Sequence, residues 1–475
     1  MSMTANFELY TELRERQRAI EGRIARYRAK IADSERELKE CLEMLQQFPR
    51  HYPVLTLPPE IISEIFVYSS LPSPLGLETI PNPRYAPMLL LHVCRAWRAI
   101  AITTPRLWAN LWLEFRRLPP RFFDAENFDK FLADYAVRLG AFPLSLKVTG
   151  CAQSEDDGRR VFTAIFDQLA SHLGVLELIT DMNHYREHNL LFPLLRKLFI
   201  GFYYNADEDL ISLHGRPLQT FCASPQLREL CIFNSARPSH IAIPWERLTE
   251  FYGEELSSRE CVEVLRSAPS LVKCTFESGT KGHANLQALT HPNLQSLKIG
   301  SGDEPAVRFI TLPALQDLEL SVENIADEHL LQFISRSSST LLKFSAMDVP
   351  IQSLQGMANL THLQLCSPEG NYLFTFLGML DRTRNPSFLP HLQTLEFEDC
   401  LPYVNLYLAS ILSSRAVSQD GGAKLRSFRQ IWSTFEAIQV KYDDPIALAF
   451  EKLVENGMEI YIGPPKRGEH LRWGI

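Results

Sequence analysis

One spacing constrains this chain more than any other feature. From Leu195 onward the pattern Leu-x-x-apolar-x-apolar recurs, with leading leucines at Leu195, Leu227, Leu248, Leu271, Leu294, Leu315, Leu341, Leu360, Leu392 and Leu425. Copies such as Leu227-Arg228-Glu229-Leu230-Cys231-Ile232 alternate apolar with polar side chains, the period of a strand with one buried face. In six copies a proline stands two residues before the leucine: Pro193, Pro225, Pro269, Pro292, Pro313 and Pro390. A single short strand cannot bury its apolar face alone. Stacked copies can, so the pattern predicts a parallel sheet with a ladder of leucines behind it.

The signature and its period are those of a leucine-rich repeat. Leu173-Gly174-Val175-Leu176-Glu177-Leu178 reads as an earlier copy, and helical stretches such as Val161–Leu169 and Ile325–Ile334 fall between strands. The asparagine that usually ends the strand motif is missing from most copies, so the repeats are degenerate. Alternation turns Lys197 and Phe199, Glu229 and Cys231, and Glu250 and Tyr252 outward. For most of these residues a merely solvated sheet face is the ordinary expectation. Phe199 and Tyr252 are the candidate target-binding residues, because exposed aromatics on a strand cost solubility and often anchor interfaces.

The N-terminal region is different. From Phe7 to Gln47 there is no proline, and apolar residues recur at Leu13, Ile20, Ile24, Tyr27, Ile31, Leu38, Cys41 and Leu45. Those steps keep one stripe on a helix, close to a heptad seam, although Gln17 and Ser34 interrupt it. Phe48-Pro49 is the expected stop. The stripe fits either self-association through residues 10–45 or a long amphipathic helix lying on its own protein, and the heptad spacing leans toward the first.

Between these regions, Leu57-Pro58-Pro59-Glu60-Ile61-Ile62-Ser63-Glu64-Ile65-Phe66 opens a helix, with proline where its missing N–H does no harm. A second helical pattern runs from Leu89 to Ile100, and Thr104-Pro105-Arg106-Leu107-Trp108 opens a further turn or short helix. So small a unit cannot bury so many large apolar side chains, and an exposed apolar surface implies a partner. The segment resembles the F-box, whose pattern runs Leu-Pro-x-Glu, two aliphatics, Ile-Phe, then Val-Cys-x-x-Trp, then Pro-x-Leu-Trp. Leu57, Pro58, Glu60, Ile61, Ile62, Ile65, Phe66, Val93, Cys94, Trp97, Leu107 and Trp108 match it. The likeness is to the F-box-like family of mushroom-forming fungi. One departure is residues 69–87, where Pro72, Pro74, Pro81, Pro83 and Pro87 lengthen the usual short loop.

The resemblance implies a subunit that binds a Skp-family adaptor, and through it a cullin, in a ubiquitin ligase. Adaptor contact is expected at Leu57, Pro58, Ile61, Ile65, Val93 and Trp97, some of which must instead form the segment's own core. The repeats would hold a protein target. The alternative is a ligase-independent scaffold in which helix and repeats assemble other proteins.

Composition narrows the remaining classes. The chain has 475 residues, 45% hydrophobic, with net charge −8 and no basic stripe, which speaks against nucleic acid. Nine scattered cysteines without a C-x-x-C pair suggest free thiols. No signal-peptide core and no membrane-length apolar run occur, so the expectation is a soluble chain of cytoplasm or nucleus. His184-x-x-x-His188 lacks the order of a zinc-protease helix and reads as a solvated polar loop; Gly300-x-Gly302 lacks a third glycine. No catalytic residue, metal or cofactor is expected, and a hydrolase has no supporting residues. The expected organisation is an α/β chain: a long helix over 6–48, an all-α F-box-like segment over 52–118, a leucine-rich-repeat solenoid over 140–462 and a tail over 463–475.

Overall fold

The computed structural model describes residues 3–47, 56–70, 82–117, 125–152, 154–186, 188, 190–202, 217–277, 286–300, 306–321, 327–347, 349–368, 370–399, 404–416, 422–432 and 444–464. Phe48-Pro49, Pro72, Pro74, Pro81, Glu187, Gly302 and nearly all of the 463–475 tail lie outside the described residues. The fold is mixed α/β, with a long N-terminal helix and a large parallel sheet. Two compact units divide it: residues 1–71 with 89–103, and residues 72–88 with 104–475.

In the first unit, α1 (Met3–Gln47) is one unbroken helix of 45 residues. Its sequence supplies strong helix formers and i, i+3 or i, i+4 pairs such as Gln17–Glu21 at 2.8 Å, Asp33–Arg36 at 2.6 Å and Lys39–Glu43 at 3.9 Å. Every residue from Tyr10 to Met44 is exposed, and these include the seam from Leu13 to Cys41.

The rest of this unit is three short helices: α2 (Pro59–Ser69), α3 (Leu90–Val93) and α4 (Arg95–Ile102). Pro59 opens α2, Glu60 sits in the positive first turn, and the Ser69 and Ser70 hydroxyls donate to the Phe66 carbonyl at the far end. The single helical pattern expected over Leu89–Ile100 divides at Cys94, whose backbone is extended (φ −157°, ψ 172°). The Cys94 sulfur accepts from the Trp97 N–H at 3.4 Å, capping α4, and Arg98 Nε donates to the Leu91 carbonyl at 2.7 Å, satisfying the end of α3.

The second unit is built on a 14-stranded sheet whose neighbours follow chain order and are all parallel. Its strands are β1 (Asn110–Glu114), β2 (Leu144–Thr149), β3 (Leu173–Ile179), β4 (Lys197–Phe202), β5 (Glu229–Asn234), β6 (Glu250–Glu254), β7 (Lys273–Glu277), β8 (Ser296–Ile299), β9 (Asp317–Leu320), β10 (Lys343–Met347), β11 (His362–Cys366), β12 (Thr394–Glu398), β13 (Ser427–Ile431) and β14 (Glu459–Gly463). Each of the ten leading leucines from Leu195 to Leu425 lies two residues before a strand, from β4 through β13, and none is more than 1% exposed. At β1 that place is taken by Trp108, which is fully buried, meets Tyr135 edge-on at 5.5 Å and carries Arg138 at 4.7 Å from its ring. Trp108, matched above to the end of the F-box pattern, is thus a core residue of the sheet unit.

Helices return the chain between many strands, among them Glu155–Leu169, Ser258–Ser267, Asp327–Ser337, Gly370–Leu380 and Leu406–Arg415. Ser154 and Ser257 cap two of them, Ser257 through a reciprocal box with Glu260. Lateral side-chain bonds recur just before the leading leucines. Asn293 donates to the Pro269 carbonyl at 2.9 Å, Thr340 to that of Pro313 at 3.0 Å, and Asn359 to that of Ser339 at 2.8 Å. In each case the residue before one leucine reaches the residue two before the previous leucine, and so ties copy to copy. At the other edge, Asn234 ends β5 and Gly150, Glu255, Ser367 and Asp399 directly follow strands, all in the left-handed region with φ between 47° and 87°, and turn the chain out of the sheet.

Candidate functional site

Two surfaces carry the candidate residues, one on each unit. On α2 the structure separates groups that the sequence left mixed. Ile62 and Phe66 are buried, at 2% and 1% exposure, while Ile61 and Ile65 are 49% and 44% exposed. Ile61, Ile65 and Tyr68 share one helical stripe, and the exposed Leu57 and Pro58 stand at its N-terminal end. Val93 is also exposed, at the end of α3. Trp97 differs: it is half-buried, its ring tilted on Phe66 with centroids 4.9 Å apart. Of the six expected contact residues, five are open to a partner and Trp97 braces the core behind them. Leu89 and Ile102 are exposed as well, and their helical spacing alone did not mark them as surface residues.

On the sheet, one outward row crosses every strand in register: Trp112, Lys147, Glu177, Phe199, Cys231, Tyr252, Thr275, Lys298, Glu319, Ser345, Gln364, Glu396, Arg429 and Tyr461. Phe199 and Tyr252 therefore share a row, two strands apart, with Cys231 on the strand between them. Lys147 pairs with Glu177 at 2.6 Å, Lys298 with Glu319 at 3.4 Å and Arg429 with Glu396 at 3.5 Å, so charge runs along the row as rungs of opposite sign. Aromatic rings close both ends, Trp112 under Lys147 at 5.3 Å and Tyr461 under Arg429 at 5.9 Å. Neither end was singled out in the sequence; the alternation Leu111-Trp112-Leu113 is the signal that marks the first.

Phe199 and Tyr252 are half-buried, with Lys197 Nζ 5.0 Å from the Phe199 ring and the Tyr252 hydroxyl donating to Glu254 at 2.7 Å. Burial raises the Tyr252 pKa, and the bond to Glu254 adds to it. Burial also pushes the Cys231 thiol up to about 11, so it is no thiolate nucleophile at neutral pH. The Lys197 ammonium is raised by its hydrogen bond to Glu229, which lies 2.7 Å away. These side chains suit recognition by shape, ring faces and fixed charges.

The histidine pair departs from the solvated loop expected of it. His184 is 3% exposed, wedged against Gly158, where a β-carbon would come within 2.3 Å of its ring. Its Nδ1 lies 3.3 Å from the Thr180 hydroxyl, and burial lowers its pKa. His188 instead stands edge-on to Phe166 at 5.3 Å. Both serve packing, because the helix Glu155–Leu169 presents its aromatic face to them. Among the described residues, no group of three or more His, Cys, Asp or Glu is placed to hold a metal ion, and no helix is long and apolar enough to cross a membrane.

No model of a known protein family matches the chain, and no curated protein matches it.

Proposed function

We propose that this chain is a non-catalytic recruiting subunit of a Skp–cullin–F-box type ubiquitin ligase. One observation carries the reading. Within a pattern resembling the F-box, Leu57, Pro58, Ile61, Ile65 and Val93 are solvent-exposed, while their neighbours Ile62 and Phe66 are buried. Exposed aliphatics in one short helical unit cost solubility unless a partner covers them. The Skp-family adaptor is the partner the resemblance implies.

The sheet is read in the same proposal as a degenerate leucine-rich-repeat solenoid, supported by its chain-ordered parallel strands and buried leading leucines. Its outward row, with Phe199 and Tyr252 as aromatic anchors, would hold the protein target. The contribution to ubiquitin transfer is proximity, a raised effective concentration of the target at the ligase, with no bond chemistry on this chain. Self-association through residues 10–45 belongs to the same reading, supported by a heptad seam uncovered along its described length.

Co-purification tests the proposal. Full-length protein should retrieve the Skp-family adaptor from cell extract, and a Leu57→Ala/Pro58→Ala variant should retrieve far less. Equal, negligible recovery by both would sink it. Stable partners whose abundance does not change when the proteasome is blocked would instead favour a ligase-independent scaffold.

A further inference from the structure

We infer that α1 pairs antiparallel with α1 of a second copy, with Ile24 of one chain beside Tyr27 of the other; this rests on the self-association proposed above. Two independent features of the exposed seam point the same way, and the first is volume. A parallel, in-register pair would set each seam residue on its own duplicate. Tyr10 and Tyr27 would each crowd a second tyrosine, while Ser34 and Cys41 would each face an equally small side chain and leave gaps. In the antiparallel register Tyr10 lies beside Cys41 and Gln17 beside Ser34, so large meets small and polar meets polar. Leu13 then meets Leu38, and Ile20 meets Ile31.

The seam also carries a groove, lined by Tyr27, Lys30, Ile31, Ser34, Glu35 and Leu38. These residues form two successive four-residue holes, with Ile31 and Ser34 common to both. In the antiparallel register Ile20 of the second copy enters the first hole and Gln17 the next. The small Ser34 makes room for Gln17.

The second feature is charge. Residues 14–30 carry seven basic and two acidic side chains, and residues 31–44 carry five acidic and two basic. A parallel pair sets each stretch beside its own duplicate, so that net charges of the same sign lie side by side. In the antiparallel pair, flanking contacts join Arg14 to Glu35, Arg16 to Glu37 and Glu21 to Arg28, against one like-charge contact, Arg23 with Lys30. The parallel pair offers Arg16 with Glu21 and Lys30 with Glu35, against Arg23 with Arg28. The ion pairs within the described helix are Asp33–Arg36 and Lys39–Glu43. Of the flanking charges, Arg14 donates to the Tyr10 hydroxyl at 3.2 Å and Glu21 accepts from Gln17 at 2.8 Å, neutral exposed contacts that an opposite charge on a second copy would replace.

The native Cys41 is an exposed seam residue and supplies the test. Full-length Tyr10→Cys protein is oxidised mildly and the bridged peptides are mapped by mass spectrometry. Positions 10 and 41 of one helix lie about 46 Å apart at 1.5 Å per residue, so a bridge between them joins two chains. The inference predicts that bridge in Tyr10→Cys and no Cys41–Cys41 bridge in the wild type. A Cys41–Cys41 bridge overturns the orientation while leaving self-association standing; a strictly monomeric full-length protein in sedimentation overturns both. Arg16→Glu should weaken the dimer about tenfold, from two charge contacts reversed per dimer, and Glu37→Arg added to it should restore the affinity. Failure of that rescue contradicts the register.

Discussion

In the sheet, the ten leading leucines from Leu195 to Leu425 are at most 1% exposed, whereas Leu57, Ile61, Ile65 and Val93 in the small helical unit are 39% to 51% exposed. The sheet unit has enough stacked copies to cover its own apolar ladder. The helical unit is too small to bury all its aliphatics and, among its described residues, keeps Ile62, Phe66, Leu90, Leu91 and Ala101 inside. Side chains of similar hydrophobicity thus hold the fold together in one region and remain available to a partner in the other.

The deepest part of the sheet unit gives the largest predicted effect. Arg415 is fully buried and donates to the carbonyls of Leu380 at 2.8 Å, Leu389 at 2.7 Å and Phe388 at 2.5 Å. Burial, with Arg382 nearby, pulls its pKa down to about 10, so it remains charged at neutral pH. Arg415→Leu strands three carbonyls and should cost about 4 kcal/mol in denaturant unfolding. A cost below about 1 kcal/mol would show that the carbonyls find other donors.

Leu294→Ala and Ile61→Ala put the comparison to work directly. The first opens a cavity behind the sheet and should cost about 3 kcal/mol. The second removes exposed atoms and should stay within about 0.5 kcal/mol. Equal losses would erase the distinction between the regions. Asn293→Ala, which removes one lateral bond, should cost about 1 kcal/mol.

The smallest expected effect is a pH dependence confined to the sheet unit. The folded His184 pKa lies below the ordinary 6.5, chiefly because of burial. The neutral ring is the form the fold accepts, so its contribution is complete above pH 6.5 and is lost as pH falls through the folded pKa. Thermal unfolding at pH 7.5 and pH 5.5 should show a loss at the lower pH that His184→Gln reduces.

Much of the sheet was legible in the sequence because the leading leucine is a positional marker: ten marked copies became ten strands, each starting two residues later. Strands β1, β2 and β14 escaped the pattern because, in register with the other copies, Trp108, Pro143 and Gly457 stand in the place of the leucine. Gly457 is there for its backbone, with φ 83° beyond the helix Asp444–Glu455. The break at Cys94 was not legible, since a cysteine cap carries no periodic signal. Nor was the division of α2 into a buried Ile62–Phe66 stripe and an exposed Ile61–Ile65 stripe. Adjacent aliphatics look alike until the helix's neighbours fix which stripe turns inward.

The central claim is that the exposed aliphatics of α2 are a docking surface. Titration of purified full-length protein with a purified Skp-family adaptor, followed calorimetrically, tests it most directly. Wild type should bind, and Ile61→Glu/Ile65→Glu should lose at least a hundredfold in affinity, about 2.7 kcal/mol, while its unfolding curve stays that of the wild type. No binding by the wild type, or undiminished binding by the double variant, would contradict the account.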